Sequence, residues 1–171
     1  MTQVYIPATL AMLQQLVADG SLQPVSGTAF AVTPTLRESY AEGDDEELAE
    51  VALREAALAS LRLLAVEQHD DALPPRRAVL AADVDPEKDG LVFRPDLDDA
   101  VVRLSGPVPI DRVIAAYVDN AGAEQAVRAA IDVIDEADLG DEDADLIVGD
   151  AQDHDLAWYA TQELPFLLEL L

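Results

Sequence analysis

Asp44-Asp45-Glu46-Glu47-Leu48 opens the stretch whose reading decides the fold. Leu48, Val51, Leu58, Leu61 and Leu64 recur at helical spacing through about residue 67. Asp44 is placed to cap this helix, with Glu47 three residues on, as in a capping box. Glu46, Glu50, Arg54 and Glu67 form the opposite face and read as solvated. Ala78 to Val84 then has the composition of a buried strand, closed by the turn Asp85-Pro86-Glu87-Lys88-Asp89-Gly90.

Working outward, Gln3 to Ile6 reads as a first strand that Pro7 ends. Thr9 is an N-cap for a helix over Leu10 to Ala18, with Leu10, Leu13 and Val17 on one face and Gly20 as the stop. Thr28 to Thr33 is a second strand, and a short helix over Leu36 to Tyr40 follows. Beyond the turn at 85–90, strands are expected at Leu91 to Phe93, Ala100 to Leu104 and Val113 to Val118. A helix over Glu124 to Ala137 turns Val127, Ile131 and Ile134 inward. Residues 138–155 read as an acidic loop with one helical turn near Asp143 to Val148. Leu156 to Tyr159 is a last strand, and an apolar C-terminal helix spans about 161–171, with Pro165 tolerable only in its first turn.

Strands interleaved with helices in two or three groups predict an α+β fold, a mixed sheet covered by helices. Residues 3–33 and 112–160 resemble two βαβ units, so a ferredoxin-like arrangement with an inserted long helix is the specific expectation. A three-layer α/β sheet is the alternative. With 171 residues, no repeat and no low-complexity linker, one domain over 1–171 is expected.

Composition bounds the function. The chain holds 35 acidic residues against 10 basic ones, a net charge of −25. No Lys or Arg follows Arg128, while eleven acidic residues lie between Asp132 and Asp155. Such a field repels nucleic acid and anionic membrane and attracts cations and basic protein surfaces. Half the residues are hydrophobic, which separates this acidity from the pattern of disorder. There is no cysteine, so disulfides, thiol catalysis and cysteine-ligated metal are excluded. The N-terminus lacks a basic n-region and a long apolar stretch, and no run approaches the ~20 apolar residues of a membrane span. A cytoplasmic protein is expected. Nine of the ten basic residues are Arg, which favours a GC-rich genome over salt adaptation as the origin of the composition.

Val4-Tyr5-Ile6-Pro7-Ala8-Thr9-Leu10, Thr28-Ala29-Phe30-Ala31-Val32-Thr33-Pro34, Trp158-Tyr159 and Gln162-Glu163-Leu164 carry a resemblance. Over nearly its whole length the chain is similar to a family of short acidic actinobacterial proteins known as a domain of unknown function. The resemblance implies a bacterial cytoplasmic protein and supplies no catalytic residues.

Candidate chemistry is sparse. Asp141-Glu142-Asp143-Ala144-Asp145 has the D-x-D-x-D spacing of the first half of an EF-hand loop. The second half departs from it: Leu146 stands where the turn needs Gly, and Gln152 where the bidentate Glu belongs. A looser Ca²⁺ or Mg²⁺ site on Asp141, Asp143 and Asp145, joined by Asp150 or Asp153, is the metal-binding alternative. The two histidines, His69 and His154, each precede an Asp, but no third His and no later Asp complete an HD-type metal site. Ser21, Ser26, Ser39, Ser60 and Ser105 sit in no nucleophile motif, and no glycine-rich phosphate loop occurs. Arg76-Arg77 is the only basic pair, too little for direct nucleic-acid binding. Trp158-Tyr159 reads as core.

The function these residues favour is a non-catalytic interaction or regulatory module, with no cofactor. Asp135, Glu136, Asp138, Asp141, Glu142, Asp143, Asp150 and Asp153 would face a basic partner surface. The alternative is a divalent-metal-dependent hydrolase built on Asp141, Asp143 and Asp145 with His154. In the tail, Phe166 and Leu167 or Leu170 are expected to pack on the domain, and the others to lie at a homodimer or partner surface.

Overall fold

The computed structural model describes residues 1–67 and 73–171. His69 and Asp70 lie outside the described residues. Nine strands are described: β1 (Thr2–Ala8), β2 (Ser21–Leu22), β3 (Thr28–Phe30), β4 (Ala78–Val84), β5 (Val92–Phe93), β6 (Val101–Arg103), β7 (Val108–Pro109), β8 (Val113–Val118) and β9 (Ala157–Ala160). Six α-helices accompany them: α1 (Leu10–Asp19), α2 (Pro34–Ser39), α3 (Asp45–Val66), α4 (Glu124–Asp138), α5 (Glu142–Gln152) and α6 (Leu164–Glu169). Seven strands form one sheet in the order β5-β6-β3-β1-β4-β8-β9, and β2 pairs with β7 apart from it.

The fold is α+β, a sheet flanked by helices. Every described pairing is antiparallel. The stretches 3–33 and 112–160 are therefore not βαβ units, whose two strands run parallel to each other. In each, the strand after the helices returns beside its predecessor in the opposite sense, Tyr5 facing Phe30 and Tyr117 facing Trp158. A sequence shows that a strand follows a helix, but not at which end of the sheet it starts.

Alternation assigns the two faces. Val4, Ile6 and Ala8 of β1 join Leu80, Ala82 and Val84 of β4 under α1 and α6, which contribute Leu10, Leu13, Leu16, Leu164 and Leu167. Tyr5, Val79 and Ala81 point the other way, against Leu36 of α2 and Leu48, Ala52, Ala56 and Ala57 of α3. A third cluster joins the end of α3 to the α4–α5 hairpin through Leu61, Leu64, Val127, Ala130, Ile134, Val148 and Ala151. Both faces of the central strands are thus dry, which is why β4 is apolar at nearly every position.

The caps lie where the sequence places them. Thr9 Oγ1 accepts from Met12 N, and Gly20 ends α1 with φ of 77°. Asp44 Oδ1 accepts from Glu47 N at 2.9 Å. Pro7 does not end β1, which runs on to Ala8 beside β4. The ladder to β3 extends only to Tyr5, so the missing Pro7 N–H falls where no strand needs it. Ser60 is fully buried and stitches α3 to the sheet. Its hydroxyl donates to Ala8 O at 2.7 Å and accepts from Ala78 N at 3.0 Å.

Three further expectations are corrected. Residues 142–152 are not an acidic loop but α5: Asp141 caps it, and Glu142, Asp143 and Asp145 occupy its first turn, where carboxylates suit the helix dipole. Trp158 is not core. It lies on the edge strand β9 at 58% exposure, while Tyr159 packs on the opposite face. Phe166 does not pack on the domain. Leu164 and Leu167, one turn apart, take the buried face of α6, and Phe166 and Leu170 point outward.

Candidate functional site

Arg77, the residue before β4, and Asp119, the residue after β8, are the most buried charged pair among the described residues, at 1% and 0% exposure. Antiparallel pairing of Ala78 with Val118 brings them together. Arg77 Nε donates to Asp119 Oδ2 at 2.9 Å and Nη2 to Oδ1 at 2.7 Å. Asp119 Oδ2 also accepts from Arg77 N at 2.8 Å. A bidentate guanidinium–carboxylate contact with a further backbone donor is the geometry that offsets the desolvation of both charges.

The rest of the Arg77 guanidinium holds the α5–β9 connection. Nη1 donates to Gln152 Oε1 at 2.9 Å, and Nη2 to the His154 carbonyl at 2.8 Å. Gln152 Nε2 in turn donates to the Arg54 carbonyl on α3 at 3.1 Å. The C-terminal end of α5 is thereby locked against both α3 and the sheet.

These contacts frame a cleft of about 360 Å³. Glu50, Leu53, Arg54 and Ala57 of α3 form one wall, and Gln152, His154, Asp155 and Leu156 form the other. Arg77 and Tyr117 line it from the sheet. His154 also lines a second hollow of about 300 Å³ between α4 and α5, with Gly122, Gln125, Ala126, Ala129, Ile147 and Asp150. Tyr5 lies near Tyr117; burial raises its pKa, the neighbouring Tyr117 adds to the rise, and a hydrogen bond from Gln3 opposes it.

The eleven carboxylates between Asp132 and Asp155 are all exposed, along the outer face of the α4–α5 hairpin and the turn after it. Asp138 is engaged, accepting from Arg62 Nε at 3.0 Å and Nη2 at 2.9 Å. That contact raises the Arg62 pKa. Asp141 accepts from Ala144 N at 2.9 Å as the cap. The other predicted partner-facing residues, Asp135, Glu136, Glu142, Asp143, Asp150 and Asp153, make no side-chain hydrogen bond among the described residues. The structure does not bring Asp141, Asp143 and Asp145 together as a chelate. Asp141 is committed to the backbone, and residues two apart on a helix diverge by about 200°. Among the described residues no group of three His, Asp or Glu side chains is disposed to hold a metal ion.

The cleft was not foreseen from the sequence. Glu50 and Arg54 read there as a solvated face and Arg77 as half of a basic pair. The usable signal was an Arg immediately before the most apolar strand, since a charge in that position needs a partner.

A family model matches residues 2–168, and its description is a family of unknown function, DUF6912. The chain belongs to that family. No curated protein and no solved structure matches it. Among the described residues, no helix is long and apolar enough to cross a membrane.

Proposed function

We propose that this chain is a non-catalytic interaction module of the cytoplasm whose α4–α5 hairpin engages a basic protein surface. One observation carries the reading: the hairpin presents its carboxylates outward on a rigid scaffold, with Arg128 the only basic residue on it. Its inner side is packed through Val127, Ala130, Ile134, Val148 and Ala151, which holds in place the helices that carry the charges. Arg76 Nε and Nη2 to Glu124 at one end of α4, and Arg62 to Asp138 at the other, brace it against the body. Preorganised like charges speed encounter with a complementary surface and lose that effect in salt. Nothing in the arrangement favours the metal-dependent hydrolase, because Asp141 is engaged as the cap of α5 and Asp143 and Asp145 diverge along it.

The test is an NMR titration with an arginine-rich peptide at about 0.01 M and about 1 M ionic strength, where the Debye length falls from ~30 to ~3 Å. Perturbations concentrated on residues 132–155 at low salt and lost at high salt support the proposal. Perturbations spread evenly over the other acidic surfaces overturn it.

A further inference from the structure

We propose that the cleft between α3 and the α5–β9 connection is a binding site for a small organic monocarboxylate with an apolar body. This site adjoins the C-terminal end of the hairpin and does not depend on the role of the hairpin's outer face.

Arg54 carries the argument. Six ion pairs are formed among the described residues, by Arg37, Arg62, Arg76, Arg77, Arg94 and Arg112. Arg54 is in none of them, in a chain where acidic residues outnumber basic ones 35 to 10. Among the described residues its side chain makes one hydrogen bond, a long one from Nη1 to the Gln152 carbonyl at 3.4 Å. Arg54 therefore lines the cleft with most of its guanidinium donors uncommitted, and a guanidinium fork matches the two oxygens of a carboxylate.

Arg77 lines the same cleft from the sheet and keeps one N–H uncommitted. Of its five side-chain N–H groups, four are engaged, by Asp119 twice, Gln152 and the His154 carbonyl. The fifth, on Nη1, has no acceptor among the described residues. Tyr117 lines the same space.

The remaining lining sets the class of ligand. Leu53, Ala57 and Leu156 supply an apolar wall for a hydrocarbon or aryl body. Glu50 and Asp155 also line the cleft and repel any anion, about twice as strongly when it carries two charges as when it carries one. This selects a monocarboxylate over a phosphate. A volume of about 360 Å³ is at the small end of ligand sites and suits a metabolite rather than a peptide.

The experiment titrates the intact protein with hexanoate and phenylacetate, with the matched primary amides, and with inorganic phosphate, at millimolar concentration and followed by amide NMR. Expected are carboxylate-induced shifts at residues 54, 77, 117 and 154, with the amides at least about tenfold weaker, since they lose the charge-assisted bond. Arg54→Gln should weaken carboxylate binding by at least about tenfold with little change in melting temperature, the side chain being exposed, and Arg54→Lys should fall between. The proposal is overturned if phosphate binds more tightly than either carboxylate, if amide and acid bind alike, if Arg54→Gln binds as the parent does, or if no probe shifts those residues.

Discussion

Asp119 and Asp143 are the same side chain in opposite circumstances. Asp119 is fully buried, bidentate with Arg77 and further satisfied by a backbone N–H. Asp143 is exposed in the first turn of α5, facing water with no side-chain partner among the described residues. The first belongs to the fold, because removing either member strands a charge in a dry interior. The second contributes a field, and its value to stability is close to nothing. A strongly acidic composition therefore conceals two populations of carboxylate that only burial separates.

The comparison breaks first at the buried pair. Asp119→Asn or Arg77→Met should cost about 3–5 kcal/mol by chemical denaturation, and should loosen the α5–β9 connection as read by amide exchange at 152–156. A loss below about 1 kcal/mol would mean that the pair is not the anchor described. The tail repeats the contrast in apolar form. Leu164→Ala, at 0% exposure, should cost about 2–5 kcal/mol, whereas Phe166→Ala, at 69% exposure, should stay within about 0.5 kcal/mol. Equal effects would show that a second surface covers Phe166.

On the exposed side, replacing Asp141, Asp143 and Asp145 together by Asn should change stability by less than about 1 kcal/mol. Asn caps a helix about as well as Asp, so Asp141 adds little to the loss, and relief of repulsion in the hairpin opposes it. A loss of several kcal/mol would move these residues into the structural population.

Glu55 sharpens the boundary between the two. It is half-buried on α3, and burial raises its pKa above 4.5; Asp98 adds to the rise, and Arg62 and Arg54 oppose it. Because the folded pKa is raised, ionised Glu55 opposes folding above that pKa, and the penalty fades as pH falls toward the unfolded value. Glu55→Gln should therefore melt above the parent at pH 7, with the difference vanishing below about 4.5. A variant less stable at pH 7 would show that the arginines outweigh the burial.

The sequence by itself determined the local elements. Caps, stops and periodicity are properties of neighbours along the chain, so Thr9, Asp44 and Gly20 delimit their helices as read, and β4 and β8 span the predicted residues. The signature of α5 is also present, in Asp141 and the spacing of Ala144, Val148 and Ala151, but the density of carboxylates over 138–155 reads as an acidic loop. Only the tertiary structure decided the antiparallel order of the strands, the pairing of Arg77 with Asp119 across 42 positions, and the meeting of Arg54, Tyr117 and His154 around one cleft. The reason is physical. A helix cap needs a partner three residues away, whereas the partner of a buried charge or the wall of a cleft is set by which strands lie side by side, and that depends on how the whole core packs.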